Sequence, residues 1–176
     1  LTVKDRLGFV FASLRASVGL VNNYFGETLP LGLGSPLSDQ IVMEIEAPTN
    51  PPNGARFYWQ ARVYGTYDHN QWVTSLRTSH EFTPNLLDLN QPGAEVRPVS
   101  TFIFFPHDSM SNLYVVSEPL WISRPSQAYM TTNPDGTVDF GAFISKEFIR
   151  PGEQYTVRSS LDAVTVLELR AAGTSY

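Results

Sequence analysis

The chain contains no cysteine among its 176 residues. Disulfides, thiolate-bound metals and a cysteine nucleophile are therefore excluded within it. Charge is scarce too, at 16% Asp, Glu, Lys and Arg against a usual share of about 25%. Lys and Arg nowhere form a run, and the net charge is −5. Nucleic-acid platforms need clustered cations to neutralise phosphates, so no nucleic-acid partner is expected. No stretch approaches the ~18 consecutive apolar residues of a transmembrane helix. A Gly-x-Ser-x-Gly elbow is missing. Only three histidines occur, His69, His80 and His107, each in a predicted loop and none spaced to share a helix face. An initiating methionine is absent as well, and Leu1 in its place predicts a piece of a longer protein.

What the chain does have is aromatic and apolar side chains, 12% and 42% of the total. With so few charges, many Tyr, Phe, Thr and Ser residues point to sheet rather than helical bundle. At this length roughly 70% of the unfolded surface is buried on folding, enough for one domain without staples.

One long helical pattern is present. Leu7, Val10, Phe11, Leu14, Val18, Val21 and Phe25 form a single apolar stripe at period 3.6 over residues 3–25, read as an amphipathic helix. Gly8 and Gly19 weaken it by about 1 kcal/mol each relative to alanine, so it needs a surface to dock on. Residues 1–28 are accordingly taken as a helical arm and 29–176 as the main domain. Residues 29–36, rich in Gly and Pro, read as a loop.

The period then changes to two. Ile41, Met43, Ile45 and Ala47 alternate with Glu44 and Glu46 as a half-buried strand. Residues 56–65 read as one strand, with Phe57, Trp59, Ala61 and Val63 on one face and Tyr58, Gln60, Arg62 and Tyr64 on the other. Asp68-His69-Asn70-Gln71 reads as a hairpin loop, and Trp72 to Thr74 begin the return. A polar loop is expected beyond it, past Pro92-Gly93. Val99 to Phe105 is a strong strand stopped by Pro106. Further strands are predicted at 113–116, 120–123, 128–132, 137–140 and 155–159, with Asn133-Pro134-Asp135-Gly136 and Pro151-Gly152 as turns. Asp162 caps a short C-terminal helix over 163–172, with a final strand as the alternative because Val164, Thr165 and Val166 are β-branched. About eight short strands without intervening helices predict a mainly β fold, an antiparallel sandwich of immunoglobulin-like type, with a barrel as the alternative.

Candidate sites are sparse. Asn133, Asp135 and Asp139 could offer oxygens to a calcium ion, but the segment lacks an EF-hand's length and bidentate Glu, so it reads as a plain turn. Glu44 and Glu46 share a strand face, which raises the paired acids of a glycosidase; alternation with apolar neighbours makes them solvated charges instead. Tyr58, Trp59, Tyr64, Tyr67, Trp72 and Trp121 are candidates for stacking on sugar rings, weighed against the routine use of aromatics as sheet cement. No catalytic, metal or cofactor site is expected.

The densest feature is the run from Phe57 to Trp72. It resembles the Tyr-Trp-Arg-x-x-x-Tyr-Asp-x-Tyr-x-Gly-x-x-Trp signature of bacterial transglutaminase-like membrane proteins, where it precedes the transglutaminase core. Tyr58, Trp59, Tyr64, Tyr67 and Trp72 match. Gln60 stands for the usual Arg, Gly65 for the usual Asp, and His69-Asn70 for the tight Gly turn. Residues 31–43 are similar to that family's lead into its first strand, and 152–159 and 169–176 to its exit segment, so the likeness runs from about residue 25 to 176. The resemblance implies transmembrane helices before Leu1, a location outside the bacterial cytoplasmic membrane, and a Cys-His-Asp domain after Tyr176. This chain would then be a non-catalytic accessory domain that positions that enzyme or docks its protein substrate, touching the membrane only through its parent. The alternative function is an independent carbohydrate- or cell-wall-binding module. The motif itself, Tyr58, Trp59, Tyr64, Tyr67, Asp68 and Trp72, is read as structural. Trp59 is expected to face the core, Tyr58, Tyr64 and Trp72 to pack across the hairpin, and Asp68 and Asn70 to serve the turn.

Overall fold

A computed structural model describes residues 26–30, 39, 41–49, 57–74, 78–84, 98–134, 136, 138–161 and 170–171. The described chain is mainly β, and all its strand pairings are antiparallel. The amphipathic helix over 3–25 lies outside the described residues, as does nearly all of the helix over 163–172; of the latter, Arg170 and Ala171 are described and are helical.

In chain order the strands are β1 (Thr28–Pro30), β2 (Met43–Glu46), β3 (Trp59–Gln60), β4 (Thr66–Asp68), β5 (Gln71–Val73), β6 (Ser79–Phe82) and β7 (Val99–Pro106). Then follow β8 (Met110–Leu113), β9 (Val115–Val116), β10 (Glu118–Ile122), β11 (Ser126–Thr132), β12 (Val138–Ile149) and β13 (Tyr155–Ser160). Two four-stranded sheets, β10-β13-β7-β2 and β6-β11-β12-β8, carry most of the fold. A three-stranded sheet, β1-β5-β4, and the short pair β3-β9 complete it.

The core follows from alternation. Along β7 the side chains of Phe102 and Phe104 are buried while Val99 and Thr101 are exposed, the period-two pattern of a strand with one covered face. Register puts Val157 opposite Phe102, and Tyr155 and Ile45 on either side of Phe104. The rings of Phe104 and Tyr155 lie nearly parallel, 4.7 Å apart. From the other four-stranded sheet come Phe82, Ala128, Phe143 and Leu113, which join the same buried cluster. One apolar core is therefore built from both sheets.

Turns obey local chemistry. Gly152, at φ 88°, follows Pro151, and Glu153 N–H donates to Arg150 O at 3.0 Å. Pro then Gly at the two central positions, with φ positive at the second, matches a type II turn. Gly136, at φ 84°, closes the Asn133 turn by donating to Asn133 O. The β4–β5 turn is different. Its central residues, His69 (φ 44°) and Asn70 (φ 64°), both sit at positive φ without being glycine. Two such residues joining paired Asp68 and Gln71 have the form of a type I′ hairpin turn, which favours Asn-Gly. His69 in the left-handed region costs about 1 kcal/mol that Asn or Gly would not. His69→Asn with Asn70→Gly should therefore raise stability by about 1 kcal/mol, read as a higher urea midpoint at unchanged slope.

Several sequence expectations are corrected. Residues 56–65 do not form one strand: β3 is two residues long, Ala61 bends, and Arg62 makes an isolated bridge to Ala142. Val63, assigned to the face of buried Ala61, is itself exposed, because the bend at Ala61 breaks the alternation. Ile41, read as facing the core, is exposed ahead of β2. Leu29 and Pro30 belong to β1 rather than to a loop. The polar loop expected after Thr74 contains β6, so His80 is in a strand; pairing with β11 sets it there. The strand predicted to end at Phe140 runs on to Ile149. Two irregularities disguise it: a shift in register between Tyr129 and Met130, which skips Gly141, and a longer one between Ile144 and Ile149.

Candidate functional site

The aromatic run 57–72 is the feature with most to explain, and the structure divides its side chains into two groups. The first is anchored. Phe57 and Trp59 meet the core edge-on, Phe57 on Phe102 at 5.1 Å and Trp59 on Phe102 and Phe104, both at 5.9 Å. Trp59 thus reaches the core as expected, yet stays 41% exposed, so it caps the two buried rings rather than joining them. Gln60 donates from Nε2 to Phe140 O at 3.0 Å, and Val63 N–H donates to Gly141 O at 2.7 Å. The carbonyl skipped by the bulge thereby gains a partner. Arg62 lies over the Tyr129 ring at 5.6 Å. Tyr64 donates its hydroxyl to Gly26 O at 3.1 Å, tying the segment to the approach of β1. Its phenol is raised in pKa by burial, with the Arg62 charge opposing.

The second group packs on itself at the surface. Tyr67 and Trp72 face each other across β4 and β5, with Leu29 of β1 next in the row. Their ring centroids are 5.4 Å apart and the planes are tilted by 58°. Tyr67 is 51% and Trp72 39% exposed. Tyr67 also donates its hydroxyl to Asn70 Oδ1 at 3.3 Å, and His69 Nδ1 lies against Asp68 Oδ1. Of Tyr58, Tyr64 and Trp72, expected to pack across the hairpin, Trp72 does so and the other two are corrected. Tyr67 is the ring that meets Trp72, Tyr64 turns to β1, and Tyr58 is 72% exposed. Trp121, the remaining stacking candidate, donates its indole N–H to Pro84 O and carries Arg158 over its ring at 5.7 Å.

The titratable candidates lie apart from one another. His69 is at the hairpin tip, His80 is in β6 opposite Ala128, and His107 follows β7. Among the described residues no group of three or more His, Asp or Glu is placed to hold a metal ion. Asn133 and Asp139 hydrogen-bond each other at 3.0 Å, beside the turn; Asp135 lies outside the described residues.

A hollow of about 250 Å³ is lined by Phe105, Pro106, His107 and the Pro151-Gly152-Glu153 turn. His107 Nε2 stands 3.7 Å from Glu44 Oε1, at ion-pair rather than hydrogen-bond distance. Glu153 is already engaged, accepting from Arg150 N–H at 2.8 Å and facing Arg124 at 3.8 Å. Those contacts hold the turn. Exposed Glu44 and Glu46 alternate with Met43 and Ile45, as solvated charges do.

Periodicity along the sequence finds the aromatic row but not its sorting. Which rings meet the core depends on β7, about forty residues away in the chain. Set beside known protein families, characterised proteins and solved structures, the chain matches none of them.

Proposed function

We propose that the chain is a non-catalytic, extracytoplasmic accessory domain of a membrane-bound transglutaminase-like protein, and that it sets the position of the catalytic domain. Its fold in this reading is an immunoglobulin-like β-sandwich, supported by a buried cluster fed from two four-stranded antiparallel sheets. The observation that carries the reading is the way the signature segment is used. From Trp59 on the Phe102 and Phe104 rings to Tyr64 on Gly26, its first half is tied at successive points to the core, to β12 and to the residue two before β1. A segment tied at three points over residues 59–64 suits a spacer, which must transmit position.

The test uses the parent protein with residues 26–161 deleted. Turnover of a small soluble substrate should be unchanged, while turnover of a substrate held at the membrane or wall should fall at least tenfold. Equal loss on both substrates would mean that the domain completes the active site and would overturn the reading.

A further inference from the structure

We infer that the exposed face of the β4–β5 hairpin is a glycan-binding site, formed by Trp72 and Tyr67 with Asn70 at its polar edge, for neutral or amino-sugar chains of β-linked pyranoses. Of the six aromatic residues that are candidates on sequence grounds, contacts separate all but Tyr58, which is 72% exposed ahead of β3. Trp59 caps Phe102 and Phe104, Tyr64 is tied to Gly26, and Trp121 is held between Pro84 and Arg158. Tyr67 and Trp72 are adjacent, share one sheet face and remain substantially open.

Three properties of this pair specify the occupant. It is amphipathic: ring faces lie beside the Tyr67 hydroxyl and the Asn70 amide, which are already bonded to each other. The amide N–H₂ and the hydroxyl lone pairs retain capacity for a ligand's hydroxyls. A pyranose offers the complement, an apolar C–H face ringed by hydroxyls. The pair is also preorganised. A two-residue turn and paired strands on both sides of β5 fix the backbone, and Tyr and Trp have few torsions to freeze, so binding loses little entropy. Finally, the two planes are not coplanar. Facets 5.4 Å apart and tilted by 58° suit neighbouring sugars that are themselves rotated about a glycosidic bond. The whole chain carries −5, which disfavours polyanionic glycans.

The inference rests on the hairpin alone and is independent of any neighbouring transglutaminase-like domain. The test is retention of the chain on insoluble chitin and cellulose, with polygalacturonate beads as the anionic control. Retention on chitin or cellulose is expected, falling about tenfold in Trp72→Ala, the scale of one lost aromatic contact. Because Trp72→Ala also removes a cross-strand pair, a second readout uses the wild type. In a nitrogen–proton NMR titration with chitohexaose and cellohexaose, the Trp72 indole signal should shift while the Trp121 signal stays fixed. No retention on either glycan, undiminished retention of Trp72→Ala, equal retention on polygalacturonate, or an unmoved Trp72 signal would each overturn the inference.

Discussion

Replacing Phe104 with alanine lowers stability by about 3–5 kcal/mol, the usual cost of deleting a buried ring and leaving a cavity. Phe104 has no exposed surface, is stacked by Tyr155 and is met edge-on by Trp59. It also stands between Ile45 and Tyr155 in the register of β2, β7 and β13, so its neighbours are fixed on both flanks and cannot close the void. Urea unfolding should show the midpoint falling steeply with little change in slope. A loss under about 1 kcal/mol, typical of surface substitutions, would mean that Phe104 is not in the core.

Tyr155→Phe gives the second large effect and separates packing from hydrogen bonding. The ring is buried, and its hydroxyl serves Tyr114 twice, accepting from Tyr114 N–H at 2.8 Å and donating to Tyr114 O at 3.1 Å. That residue links β8 to β9, so the phenol clamps the crossing to β13. Phenylalanine keeps the stack on Phe104 and loses both bonds, at a cost of about 1–3 kcal/mol near neutral pH.

The same hydroxyl makes stability depend on alkaline pH. Burial, the largest cause, raises the Tyr155 pKa far above the usual tyrosine range; the bond to Tyr114 opposes this, and the Tyr114 charge adds to the rise. A phenol that ionises at about pH 10 when unfolded but stays protonated when folded contributes fully below that pH. Its contribution is lost as pH rises toward the folded pKa, because the native state then binds the extra proton. Wild type should lose about 1.4 kcal/mol more per pH unit above pH 10 than Tyr155→Phe does. Tyr64 and Tyr114 are raised by burial too and remain in the variant, so some alkaline loss persists. Parallel pH curves for the two proteins would show that the Tyr155 phenol is open to solvent in the fold.

Residues whose information is local were legible. Phe102, Phe104 and the closing Pro106 announce β7, and the glycines at 136 and 152 announce turns that need positive φ. Elements defined by distant partners were not. Only Phe82 in β6 is buried, so its four residues carry no period; β11, more than forty residues on, makes them a strand. Gly141 and the irregular stretch before Ile149 hid most of β12 for the same reason, since bulges break the alternation that identifies a strand. At the aromatic segment, composition and spacing located the hairpin and its turn. They could not say that Trp59 meets Phe102 and Phe104 while Trp72 meets Tyr67, because a period of two assigns side chains to faces without naming their partners.

We propose that this β domain serves a catalytic neighbour that carries the chemistry. Sequencing the parent gene beyond the codon for Tyr176 tests it most directly. The expected result is an open frame leading into a domain that carries the Cys, His and Asp of a transglutaminase-like triad; a frame that continues or closes without such a domain would contradict it.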